Sequence, residues 1–223
     1  MNEHRYSEDE IAAVYRVIRE RRDMRHFAPG PLPAGLIERL IDAAHHAPSV
    51  GLMQPWRFIR ITDSNLRGRI QTHVDDERRA TAAILPSRND EFLKVKVEGI
   101  RDCAALLVAA LMHGREPHLF GRRTLPEMDL SSLACAIQNM WLAARAEGVG
   151  LGWVSFFDPN VIAQFLNMPV GAKPVAILCL GPVASFYPRP MLEEIGWGKR
   201  LPVSEILFEN GWPEDAKPTP TAY

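Results

Sequence analysis

The chain has 223 residues, 47% hydrophobic and 24% charged, close to the globular average and rich enough in apolar side chains to bury one large core. Lys and Arg total 26 against 27 Asp and Glu, which excludes the net basic field that gathers a protein onto nucleic acid or an anionic membrane. Any anion site must therefore be local.

The opening MNEHRYSEDE is polar and acidic, whereas a signal peptide needs a basic start and an apolar run of about 7–15 residues. No segment approaches the roughly 18 apolar residues of a membrane span; the best, Ala104 to Met112, is far shorter. A cytoplasmic protein is expected. Cys103, Cys135 and Cys179 are odd in number and set among apolar residues, which predicts core thiols in a reducing compartment rather than a disulfide framework.

Ser7 followed by Glu10 has the form of a capping box, with Ile11, Val14, Tyr15 and Ile18 at helical spacing behind it, predicting a helix from Glu8 to Arg21. Phe27 to Pro33 holds three prolines and a glycine and reads as a loop. A second helix is expected over Ala34–His46, stopped by Pro48, then a strand over Trp56–Thr62. Asn65 to Gly99 is polar and helical in pattern, interrupted at Pro86. Ala104–Met112 and Pro174–Leu180 are continuous apolar runs, expected as neighbouring strands at the sheet centre, buried on both faces. Between them Asp129–Glu147 spreads apolar residues around more than one stripe and meets Gly148, predicting a helix buried on two sides. Asp158-Pro159 opens a short helix towards Leu166. Residues 1–6 and 214–223 are expected to be flexible or to wrap a partner subunit. The whole reads as one α+β domain over residues 1–223, helices flanking a mixed, mostly antiparallel sheet.

Four constellations could carry chemistry. Arg21-Arg22-Asp23-Met24-Arg25 crowds three guanidiniums, which suits a phosphate between them or a solvated basic helix end. The cations also favour the charged form of the Asp23 carboxyl. Ala47 to Trp56, APSVGLMQPW, puts Ser49, Met53 and Gln54 in a loop before a strand; an amide there can donate to and accept from the edge of a pyrimidine-like ring, or the segment merely connects. Gly148 to Ser155, GVGLGWVS, follows a helix and leads into a strand, the reverse of the dinucleotide fingerprint. Its glycines would let the backbone approach a flat ligand, with Ser155 alongside. Lys199-Arg200, ahead of a final helix, is a surface turn or the far side of a phosphate cradle. Neither the adjacent His45 and His46 nor the HGREPH loop has metal-ligand spacing, so no metal is expected.

The RRxxR-like cluster, the APS-to-QPW loop, the EG-GxGxGW turn and the basic RLP near the C-terminus resemble the FMN-binding nitroreductase-like proteins, from about Ser7 to Trp212. RRDMR, APSVGLMQPW, PEMDL (Pro126–Leu130), QNMWLAARAEGVGLGWVS (Gln138–Ser155) and KRLP are similar in particular to the branch of 5,6-dimethylbenzimidazole synthases. Relatives that keep flavin as a permanent cofactor resemble this chain less at Asp23 and Ser155. The match departs at His26–Ala28 and weakens over Arg101–Leu125, segments that bear on a lid and on subunit contacts.

That resemblance implies a homodimer with FMN at the subunit interface, bound as reduced substrate and consumed with O2. It implies that Arg21, Arg22, Arg25, Lys199 and Arg200 hold the phosphate and ribityl chain, and that Met24, Ser49, Met53 and Gln54 contact the flavin. Asp23 is the implied acid/base, and Ser155 orients the reacting ring. The expected products are 5,6-dimethylbenzimidazole and erythrose 4-phosphate, with a separate NAD(P)H-flavin reductase supplying reduced FMN. The alternatives are an NAD(P)H-dependent nitroreductase or flavin reductase with resident FMN, and a non-catalytic FMN-binding protein.

Overall fold

The structure is a computed structural model describing residues 3–85 and 88–213. Helix α1 (Glu8–Glu20) starts with the expected capping box: Ser7 Oγ accepts from the Glu10 backbone N–H at 3.4 Å, and Glu10 Oε2 accepts from the Ser7 N–H at 2.9 Å. The helix ends where Arg21 adopts extended backbone. Its apolar stripe does not reach the core. Val14, Tyr15 and Ile18 are all exposed.

After the proline loop, Gly35 takes a left-handed φ of 69° and turns the chain into α2 (Leu36–His45), which buries Leu36, Leu40 and Ala44. Strand β1 (Trp56–Ile61) follows. Asp63 caps α3 (Ser64–Ala83) by accepting from the N–H groups of Asn65 and Leu66. Next come α4 (Asn89–Lys94), β2 (Ala105–Leu111), α5 (Met128–Ala146), β3 (Gly150–Val154), α6 (Pro159–Phe165), β4 (Lys173–Gly181) and α7 (Met191–Glu194). Pro86 and the tail 214–223 lie outside the described residues. Instead of the final helix expected after Arg200, Val203–Glu205 form a single 3-10 turn; Val203, Ile206 and Leu207 stand at helical spacing but are exposed, and a short helix without a packed face is not stable.

The four strands form one antiparallel sheet in the order β1-β2-β4-β3. The two uninterrupted apolar runs are its central strands, and alternation explains their composition. Leu107, Ala109 and Leu111 of β2 and Ala176, Leu178 and Leu180 of β4 join Leu40, Leu133, Ile137 and Met140 under α2 and α5. Leu106 and Val108 of β2 and Ile177 and Cys179 of β4 point the other way, into a cluster with Ile70, Val74 and Ile162 of α3 and α6.

Of two expectations, one copy of the chain meets the first in part and corrects the second. Helix α5 buries one continuous stripe, Leu133, Ala136, Ile137, Met140, Trp141 and Ala144, against the sheet and α2, while Leu130 remains 41% exposed. Among the described residues of one copy, no element covers the other side. Cys103 and Cys179 are buried, but Cys135 is exposed, since it falls on that uncovered side of α5. No helix among the described residues is long and apolar enough to cross a membrane, and none of them form a cluster able to hold a metal ion.

The capping box holds the Glu10 carboxyl below its usual range, chiefly through the hydrogen bonds from Ser7. A depressed carboxyl contributes stability above its ordinary value and loses it as the pH falls. Amide exchange in the first turn of α1 should therefore accelerate in Ser7→Ala at neutral pH. The difference from the unmodified chain should shrink as acid protonates Glu10, leaving the part due to the bond from the Glu10 N–H to Ser7 Oγ; a difference that does not shrink at all in acid would contradict the assignment.

Candidate active site

The site grows from a single seam. Beyond α1 the chain runs extended alongside β3, with a parallel bridge pairing Asp23 and Leu151 and the Met24 N–H donating to Leu151 O at 3.0 Å. Extended backbone alternates its side chains. Arg21, Asp23 and Arg25 share one face and line a cavity of about 710 Å³, which Arg22 reaches as well, whereas Met24 turns the other way and is 1% exposed, in the core.

The approach is close because β3 carries glycines. A Cβ on Gly152 would lie 2.2 Å from Met24 O, and one on Gly150 would lie 2.5 Å from a Val183 methyl carbon. The glycines of GVGLGW thus admit the chain's own backbone. The expected approach to a ligand is replaced by this docking.

The Asp23 carboxylate is held from two sides. Oδ1 accepts from the Trp153 N–H at 2.9 Å, and Oδ2 pairs with Arg25 Nη2, which also donates to Trp153 O at 2.8 Å. Surrounding protein strips water from the carboxyl, yet 39% of the side chain stays exposed. Desolvation raises its pKa and outweighs the opposing pull of Arg25, the Trp153 N–H and Arg21. From sequence only the cations were visible, which suggested the opposite balance.

The three arginines have separate environments. Arg21 stacks on Trp141 with its guanidinium carbon 4.4 Å from the ring centroid. Burial lowers its pKa and the charges of Arg22 and Arg200 lower it further, against Asp23. Arg22 donates to the carbonyls of Arg19, Arg21 and Pro188 at 2.7–2.8 Å, tying the end of α1 to the segment before α7. Arg25 is 9% exposed and braces Asp23. Arg22 Nε and Arg25 Nη1 are buried donors with no partner among the described residues, and such atoms are costly to leave unmatched. A cavity edged by Arg21 and Arg200, with donors to spare, fits an anionic ligand such as the phosphate of FMN.

Several contributors carried no sequence signal. Trp153 acts through its backbone and Trp141 by stacking, and the Trp141 Nε1–H also donates to Arg22 O at 3.1 Å. The Tyr187 hydroxyl accepts from the N–H groups of Arg25 and His26 at 3.1 and 3.2 Å. The far wall is apolar, with Ile84, Leu85, Phe92, Phe156, Leu192 and Trp197 from around α3, α4 and α7. Nothing in their spacing links them before the fold does.

The remaining candidates lie apart. Ser155, just past β3, is exposed next to Phe156, which lines the cavity. Arg200 lines the cavity; Lys199 is exposed and does not. Ser49, Met53 and Gln54 are not at this cavity at all. Their loop is seated on the first turns of α5, where the Val50 N–H donates to Ser132 Oγ at 3.1 Å and Ser49 Oγ accepts from the Gln54 N–H at 3.1 Å. Arg21 and Arg22 meet the same helix at Trp141, nine residues or about 14 Å further along its axis. Leu52 and Gln54 have φ of 52° and 48°, left-handed conformations costing on the order of 1–2 kcal/mol each for such residues. His45 Nδ1 accepts from Trp56 Nε1 at 3.2 Å and so serves the packing of this loop.

Residues 18–182 match the model of the nitroreductase family. The chain belongs to that family. It is 40% identical to the 5,6-dimethylbenzimidazole synthase of Rhodospirillum rubrum over 187 residues, covering 82% of this chain and 87% of that protein. It is 39% identical to the protein of the same name from Rhodobacter capsulatus over 194 residues, covering 85% and 93%. Its fold is also that of iodotyrosine deiodinase bound to FMN and 3-iodo-L-tyrosine, at a TM-score of 0.71 and 20% identity over 89% of this chain and all of that one.

The seam makes a direct prediction. Gly152→Ala should force Met24 away from β3, since a backbone carbonyl at 2.2 Å cannot yield as a side chain could. A loss of about 1–3 kcal/mol is expected from such overpacking, read by denaturant unfolding. An unchanged midpoint would show that the two segments separate freely.

Proposed function

We propose that this chain is a 5,6-dimethylbenzimidazole synthase that takes reduced FMN as its substrate and fragments it with O2 to 5,6-dimethylbenzimidazole and erythrose 4-phosphate, the pyrimidine half of the flavin ring leaving as a third fragment and O2 accepting the electrons released. The observation that carries the reading is the Asp23 carboxylate, fixed by Trp153 and Arg25 in a cavity edged by Arg21 and Arg200, in a chain 40% identical to a named synthase.

Arg200 lies close enough for its charge to lower the pKa of Arg21, and the two would hold the phosphate, with Lys199 adding charge outside the cavity. Arg22 and Met24 anchor the backbone on which Asp23 and Arg25 stand. Burial raises the Asp23 carboxyl, bringing it towards the range in which a group can both take and return a proton. Asp23 moves a proton of the ribityl chain, and Ser155 orients the ring from the end of β3. Reduced FMN supplies the electrons for oxygen and the carbon that enters the new imidazole. A separate NAD(P)H-flavin reductase supplies it.

Ser49, Met53 and Gln54 would reach the flavin ring from a second copy. In one chain they lie about 14 Å along α5 from the arginine cluster, and a two-fold axis near this helix would bring each loop to the other copy's cavity. The uncovered faces of the helices support a homodimer: Val14, Tyr15 and Ile18 on α1 and Leu130 on α5 are exposed, apolar side chains that a second copy could take out of water. Ile18→Glu, placed where no core contact is lost, should yield a folded monomer by sedimentation with FMN binding abolished. A monomer that still binds FMN would remove the second copy from the site.

The activity is tested by mixing purified protein with reduced FMN in air and measuring 5,6-dimethylbenzimidazole by chromatography. Product should form only with oxygen, and the protein should keep little FMN through dialysis. A stoichiometric yellow flavin cycling with NADPH would favour a nitroreductase, and binding with slow reoxidation alone a storage protein. Asp23→Asn should retain binding but lose about 10²- to 10⁴-fold in product formation, the usual cost of removing a general base, and release oxidised FMN and peroxide in its place. Near-normal product formation would take Asp23 out of the mechanism.

A further inference from the structure

The segment Pro126–Leu130, PEMDL, stands outside the cavity and does no chemistry in the reading above, yet it contains a buried charge network. Asp129, at 6% exposure, accepts from Arg115 Nε at 2.8 Å, from Arg122 Nη2 at 3.1 Å and from the Leu130 N–H at 2.6 Å. The arginine side chains are 12% and 9% exposed. Each also gathers backbone carbonyls: Arg115 those of Met112 and Gly171, Arg122 those of Arg115, His118 and Pro126. One carboxylate thus ties the whole connection between β2 and α5 to the first turn of α5.

That connection presses on the Ser49–Gln54 loop. A Cβ on Gly51 would lie 3.1 Å from Phe120 Cβ, and one on Gly121 would lie 2.7 Å from Val50 Cγ2. From the other side, Ser132, one helical turn after Asp129, accepts from the Val50 N–H. The loop is therefore gripped between the connection and α5, and within it Leu52 and Gln54 keep positive φ. Side-chain-bearing residues remain in that conformation only where their surroundings enforce it. Phe120 is 83% exposed, so its contact with Gly51 depends on the connection being held from below.

We infer that Asp129, Arg115 and Arg122 form a positioning network that enforces the strained Leu52–Gln54 backbone and so aims the Gln54 amide at the flavin ring. The inference rests on the proposed placement of the Ser49–Gln54 loop against that ring. The network acts through the loop, touches no ligand, and affects ring recognition without affecting phosphate recognition.

FMN and riboflavin share the ring, and riboflavin lacks the phosphate, so titrating full-length protein with each by flavin fluorescence separates the two kinds of contact. Arg122→Gln should weaken both ligands by the same factor, about 5- to 10-fold, the value of a misplaced hydrogen bond. Arg200→Ala should weaken FMN and leave riboflavin unchanged. Asp129→Asn should act like Arg122→Gln but more strongly. It leaves two buried arginines without their carboxylate, so if circular dichroism shows it unfolded, Arg122→Gln decides, because the Arg115–Asp129 pair survives there. Adding Leu52→Gly to Arg122→Gln should restore part of the lost riboflavin binding, since glycine takes a positive φ without strain. Failure of that rescue would assign the network to stability alone. Unchanged binding of both flavins by Arg122→Gln would overturn the inference and leave the proposed function standing. A wild-type protein that binds neither flavin would overturn both.

Discussion

The candidate site depends on the docking of one extended segment, Arg21–Arg25, against the edge of β3. The backbone bond from Met24 to Leu151 and the side-chain bond from Trp153 to Asp23 can both form because Gly150 and Gly152 bring no Cβ into the gap. The same contact covers part of an edge strand that would otherwise present unpaired backbone groups. It also sorts the alternate side chains, so that Met24 is spent on the core while Arg21, Asp23 and Arg25 line the cavity.

The rest of the fold makes that edge rigid. Central strands β2 and β4 are packed on both faces by helices, which leaves the polar chemistry at the periphery, where β3 ends and the chain returns from β4. The cavity's apolar wall comes from elements outside the sheet, with Phe92 and Trp197 at 6.1 Å between ring centroids and Arg88 stacked 3.8 Å from the Trp197 ring. A polar floor and an aromatic wall together suit a ligand with one charged end and one flat end.

Identical side chains here have different work because burial and partners differ. Arg22 gives its Nη atoms to backbone carbonyls and Arg25 gives Nη2 to Asp23 and the Trp153 carbonyl, each leaving one buried nitrogen unmatched, while Arg21 makes no side-chain hydrogen bond among the described residues and stacks on Trp141. Of the three, Arg21 is the best placed to meet an incoming anion. The distinction bears on any comparison with the synthases that share about two-fifths of its sequence: a matched arginine in an alignment is not by itself a matched role.

Local signals in the sequence determined the elements of this protein. The capping box of Ser7 and Glu10, the Asp158-Pro159 start, the two unbroken apolar runs and Gly148 each act over a few residues, and the elements they mark fall within two residues of where those signals put them, whereas the polar pattern to Gly99 ends at Lys94 and the helix expected after Arg200 is a 3-10 turn. The motif resemblance also led to the family that residues 18–182 match. Tertiary structure decided what depends on distance between segments far apart in the chain. It decided that the glycines before Trp153 receive Met24, that desolvation outweighs two cations and a backbone donor at Asp23, that α5 keeps an uncovered side, and that PEMDL anchors a loop some 75 residues earlier in sequence, as the Val50–Ser132 bond of 82 residues' separation illustrates. Periodicity reports which face of an element is apolar; burial and partnership belong to pairs of elements, and only their packing fixes them.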